Sequence, residues 1–71
     1  MKTLKSQLQN IIGLTNSINA INQDYSMGFL TPTEFTSQLQ VVLIQIDAVR
    51  KSIRDEYEIN DNAINLMLML N

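Results

Sequence analysis

The 71-residue sequence contains no cysteine, no histidine and no tryptophan, and it has only one proline and two glycines. Without cysteine it forms no disulfide, and without cysteine or histidine it lacks the usual ligands of a zinc site. The same absences remove the thiolate nucleophile and the side chain that ordinarily transfers protons near neutral pH. The residues therefore predict no catalytic site, no cofactor and no metal, and we expect the protein not to be an enzyme.

Charge is also scarce, since Asp, Glu, Lys and Arg make up 17% of the chain and the net charge is −2. Binding to the phosphate backbone requires concentrated positive charge, so we expect no nucleic-acid partner. The most apolar stretch, 41–49, is interrupted by Gln45 and Asp47 and is far shorter than the ~20 residues of a membrane span. No secretion signal follows the first residues, so we expect no membrane partner and a cytoplasmic location.

A chain this short buries only about 60% of the surface that its unfolded form exposes. Disulfides and Cys/His metal sites, which stabilise many small domains, are excluded by composition. Oligomerisation is the remaining means of burying more surface. We therefore expect a single helical domain over 1–71 that forms a homo-oligomer, most simply a dimer.

Apolar residues recur every three or four positions in the first third of the chain, which predicts a helix over about 3–25. Gly13 lies inside it and predicts a close helix crossing. No charged residue occurs between Lys5 and Asp24, so the outer face consists of Ser, Thr, Asn and Gln. Such a face contacts another protein at a lower desolvation cost than a charged face does.

A turn over 26–31 precedes a second predicted helix over about 32–57. Thr31, Pro32 and Glu34 fit a capping box with proline at the first helical position. The following apolar residues alternate in spacings of four and three, which is the spacing of a heptad seam. The members of this main seam are Phe35, Leu39, Val42, Ile46, Val49, Ile53 and Tyr57.

A short third helix is predicted over about 62–70, with Asp61 or Asn62 as its N-cap. Its apolar residues must be covered, either by the open end of the hairpin or by another subunit. On the second helix, three apolar residues project from the side opposite the main seam. Together these two segments supply the predicted interface, which comprises Val41, Ile44, Ala48, Leu66, Met67 and Met69.

The predicted fold is all-α. An antiparallel two-helix hairpin is followed by a short C-terminal helix, and homo-oligomerisation completes the helical bundle.

Eight of the twelve charged residues fall between Asp47 and Asp61. Opposite charges four residues apart predict pairing of Asp47 with Lys51, of Lys51 with Asp55 and of Arg54 with Glu58. This pairing accounts for the basic cluster of Arg50, Lys51 and Arg54 without any ligand. Arg50 has no such neighbour, so it is the member of the cluster that we name as a candidate contact for a partner. The acidic residues of this segment lack the glycine and the closing glutamate of a calcium loop, which favours a solvated helix end.

Two classes of function remain. The first is a non-catalytic adaptor or inhibitor that binds a partner protein, with Asn16, Asn19, Gln23 and Arg50 as candidate contacts. The second is a self-assembling scaffold subunit, and a small-molecule-binding oligomer is a weaker third interpretation. The short chain, rich in Asn, Gln and Ile, is typical of accessory proteins of phages and other mobile elements.

Overall fold

The computed structural model describes residues 3–70, which form three helices and no strand. The helices are α1 (Leu4–Ser26), α2 (Pro32–Tyr57) and α3 (Asp61–Met69). Gln7 near the start of α1 contacts Glu56 near the end of α2, while Tyr25 stacks on Phe35 at the other end of the pair. α1 and α2 therefore run antiparallel. The predicted fold class, a hairpin with a short C-terminal helix, is confirmed.

Side-chain caps fix the start of each helix. The predicted capping box is present, because the Glu34 amide donates to Thr31 Oγ1 at 3.1 Å and the Thr31 amide donates to Glu34 Oε1 at 2.9 Å. A second capping box, which was not predicted, joins Thr3 and Ser6 at the start of α1. The N-cap of α3 is Asn60, so the prediction of Asp61 or Asn62 is wrong by one or two positions.

The turn between α1 and α2 is a Schellman motif. The Gly28 amide donates to the Tyr25 carbonyl and the Phe29 amide donates to the Asp24 carbonyl. Gly28 has φ +82°, a conformation that glycine adopts without steric cost. These bonds satisfy carbonyls that would otherwise lack partners at the end of α1, and they direct the chain back along it.

The core lies at the open end of the hairpin, where α3 packs on both longer helices. Leu8, Ile11, Ile53 and Ile64 form its buried centre. Ile53 and Ile64 have no solvent exposure. The main seam of α2 faces this core and α1, and every one of its members is at least partly buried. The apolar part of α3 thus covers the hairpin of its own chain.

Gly13 does not mark a helix crossing, and that prediction is wrong. A Cβ atom placed on Gly13 meets no atom within 4 Å. The residue lies on the exposed side of α1, where neither of the other helices approaches it. Its small size is therefore not required for packing within one chain.

We expect Gly13→Ala to stabilise the protein by about 0.5–1 kcal/mol, because alanine loses less backbone entropy than glycine in a helix interior. Urea unfolding followed by circular dichroism measures this change. Destabilisation would show that something contacts the bare glycine backbone, such as a second chain.

We expect Thr31→Ala to lower the free energy of unfolding by about 0.5–2 kcal/mol, because the Glu34 amide loses its capping acceptor. Thr36→Ala is the matched control, since Thr36 lies within α2 and its hydroxyl donates only to the Pro32 carbonyl of the preceding turn. Equal effects of the two substitutions in urea unfolding would contradict the capping role of Thr31.

Candidate interaction surface

An apolar strip lies on the side of α2 that faces away from the core. Val41 is 57% exposed and Ile44 is 68% exposed, and Ala48 follows them on the same side. The main seam turns toward α1, so at 100° per residue these three positions point outward. Neither α1 nor α3 covers them. Three of the six predicted interface residues therefore form one exposed surface.

The other three predicted interface residues lie on α3 and divide between two environments. Leu66 and Met69 are exposed, whereas Met67 is partly buried and packs against the core of its own chain. The structure therefore places Met67 on the inner side of α3. Among residues 3–70, five further large hydrophobic side chains are exposed: Tyr25, Met27, Phe29, Leu43 and Leu70.

The uncharged face of α1 is exposed. Asn16, Asn19 and Gln23 all lie on it. They fall within about 60° of one another on the helix, so the structure brings these partner-binding candidates together. Within residues 3–70, no hydrogen bond or ion pair engages their side chains.

Arg50, the fourth candidate, makes polar contacts within its own chain. Its Nη2 donates to Asn65 Oδ1 at 2.7 Å, and its Nη1 lies 3.6 Å from Asp61 Oδ1. Within its own chain Arg50 connects α2 to α3, because α3 places Asn65 and Asp61 beside the guanidinium group. The expectation that Arg50 contacts a partner protein stays a prediction.

The predicted four-residue ion pairs of α2 do not form. Arg54 Nη1 donates instead to both carboxylate oxygens of Asp61, at 2.8 and 3.1 Å. Among the described residues, Lys51 makes no ion pair. The same residues contain no group of three acidic side chains placed to hold a metal ion.

Gln7 is a buried polar residue that periodicity assigned no role. It is 3% exposed, its Nε2 donates to Glu56 Oε2 at 3.2 Å, and its Oε1 has no partner. The residue lies four positions before Ile11, so its spacing already placed it on the core side. It lines a cleft of about 140 Å³ between α1 and α2, together with Asn10, Ala48, Val49 and Ser52.

The cleft is smaller than the ~300–1,000 Å³ of ordinary small-molecule pockets. Hydrogen bonds from the amide and side chain of Thr31 lower the pKa of Glu34 below its ordinary value. Glu34 is therefore a carboxylate at neutral pH. Glu34 thus places a negative charge at the exposed start of α2.

Comparison with protein-family models, with curated proteins and with solved structures finds no match to this chain. Across residues 3–70, none of the helices combines the length and the apolar character that crossing a membrane requires.

We expect Gln7→Met to stabilise the protein by about 1 kcal/mol, because it removes a buried acceptor that has no partner while keeping similar volume. Gln9→Met is the matched control on the exposed side of α1, with an expected change within about 0.5 kcal/mol. Thermal and urea unfolding measure both. A loss of stability in Gln7→Met would show that the hydrogen bond to Glu56 outweighs the unpaired oxygen.

Proposed function

We propose that this protein is a non-catalytic interaction module, an adaptor or inhibitor that acts by binding another protein. The observation that carries the proposal is the exposed face of α1, on which Asn16, Asn19 and Gln23 lie together. The exposed apolar residues Val41 and Ile44 on α2 add a second surface of the kind found where proteins associate. The sequence has neither histidine, which ordinarily transfers protons near neutral pH, nor cysteine, which supplies a thiolate nucleophile, and this supports a function without catalysis.

The face of α1 that carries Asn16, Asn19 and Gln23 is the proposed contact for the partner protein. Burying amide side chains costs less than burying charges, and each amide offers both a donor and an acceptor. Along α1, no charge interrupts this face between Lys5 and Asp24. A partner that presents backbone groups or uncharged polar side chains fits such a surface.

The setting we propose is the cytoplasm of a cell that hosts a phage or another mobile element. The small size and the Asn-, Gln- and Ile-rich composition support this setting. Small binding proteins act by occupying a surface of a larger one, which requires no chemistry of their own.

Affinity capture from a lysate of the source organism, with mass spectrometry, tests this function. We expect one partner in stoichiometric amount with the wild-type protein, and its loss with the double variant Asn16→Lys/Asn19→Lys. Gln40→Lys is the matched control, because it adds the same charge at an exposed amide of α2. Equal recovery from the double variant and the control would contradict binding through this face of α1.

The alternative function is self-assembly into a scaffold. Exposed apolar side chains at the turn, on α2 and at the end of α3 favour it, because a growing assembly needs more than one contact surface on each copy. Recovery of the protein alone, as species much larger than a dimer, would support this alternative over the adaptor.

A further inference from the structure

A second heptad spacing runs along the exposed side of α2. Its members are separated by 3, 4, 3, 4 and 3 residues, and all are exposed. We name this set the outer seam, and it comprises Glu34, Ser37, Val41, Ile44, Ala48 and Lys51. Alternating separations of three and four place residues along one line of contact between two helices. The outer seam has an apolar middle, an acidic start and a basic end.

The charges at its two ends select a second copy of the chain in antiparallel orientation. Antiparallel seams pair residues that are equally distant from a common midpoint, here between Val42 and Leu43. Val41 then faces Ile44 of the second copy, and Ser37 faces Ala48 of the second copy. Glu34 faces Lys51 of the second copy at both ends. In this register apolar residues face apolar residues, small residues face small residues, and each glutamate faces a lysine.

Other alignments of two copies lose this match. In a parallel pair, Glu34 faces Glu34 and Lys51 faces Lys51, so like charges meet at both ends. A shift of the antiparallel pair by one heptad places Glu34 opposite Glu58 and Lys51 opposite Val41. Like charges across a contact disfavour association, so one register is preferred.

The middle of the outer seam is uncharged, and among residues 3–70 its cationic end is free of ion pairs. Residues 35–46 carry no charge, so the middle of the contact buries none. Lys51 has no ion pair within residues 3–70 and remains available to a second copy.

We propose that two copies of this chain associate antiparallel through the outer seam, with Glu34 opposite Lys51 of the second copy. The inference rests on the proposed function, because it assigns an occupant to the exposed side of α2. It leaves the Asn- and Gln-rich face of α1 for the partner protein. The dimer carries two such faces.

Disulfide trapping tests the orientation, and the chain has no native cysteine to interfere. Ser37→Cys and Ala48→Cys are prepared separately, then mixed under reducing conditions and oxidised. We expect the mixture to give a covalent dimer and each variant alone to give little. Efficient trapping of each variant alone, with little in the mixture beyond those homodimers, would establish a parallel dimer and overturn the proposal.

Charge exchange tests the register. Lys51→Glu alone places two pairs of glutamates in contact, and Glu34→Lys alone places two pairs of lysines in contact. We expect each variant to dimerise about tenfold more weakly than the wild type. Mixing the two variants restores opposite charges at both ends, so a heterodimer of near wild-type affinity is expected in sedimentation equilibrium. No recovery on mixing would overturn the register.

Mass measurement by light scattering separates this inference from the proposed function. We expect the wild type at twice its 8.1 kDa monomer mass, and Ile44→Asp as a monomer with unchanged helical circular dichroism. Leu66→Asp is the matched control, because Leu66 is 62% exposed and Ile44 is 68% exposed. A monomeric wild type overturns the dimer but leaves partner capture through α1 unaffected. Dissociation by Leu66→Asp with Ile44→Asp still dimeric also overturns the dimer proposed here.

Discussion

Packing of α3 across the open end of the hairpin is the contact on which the rest of the fold depends. Ile64 from α3 and Ile53 from α2 are fully buried against Leu8 and Ile11 from α1. In a pair of helices, each helix buries only the side that faces the other. At the open end of the hairpin, α3 also covers the groove between α1 and α2. Small domains have little stability in excess, so the loss of this contact removes most of what holds the chain folded.

The packing of α3 on α2 also explains which polar groups Arg50 and Arg54 contact. Once α3 lies along α2, Asp61 sits beside Arg54 and Asn65 sits beside Arg50. These bonds engage Arg54, which the sequence spacing paired with Glu58 within α2, and Arg50, which the sequence indicated as a candidate contact for a partner. Exposed ion pairs contribute little to the free energy of unfolding. The bonds from Arg50 and Arg54 therefore affect the orientation of α3 more than the stability of the fold. Lys51 makes no ion pair among residues 3–70.

The half of the hairpin near the turn has no third helix. There α1 and α2 cover only each other, and their outer sides carry exposed apolar residues on α2 and amides on α1. The molecule is accordingly elongated, with extents of 41 × 23 × 20 Å. The buried core therefore lies at one end of the molecule. The proposed partner site lies on α1, and the proposed dimer contact runs along α2 from Glu34 to Lys51.

The sequence by itself determined the local features. Spacings of three and four residues identified the helices and the main seam, and Thr31, Pro32 and Glu34 identified the start of α2, because periodicity and capping depend on residues a few positions apart. Only the tertiary structure decided that Arg50 bonds to α3, that Gly13 lies in open space and that Gln7 is buried with an unpaired oxygen. These outcomes depend on which side of one helix is covered by another helix. The packing of the helices is determined by contacts between residues far apart in the chain, which together bury the apolar surface. The spacing of residues a few positions apart therefore does not predict it.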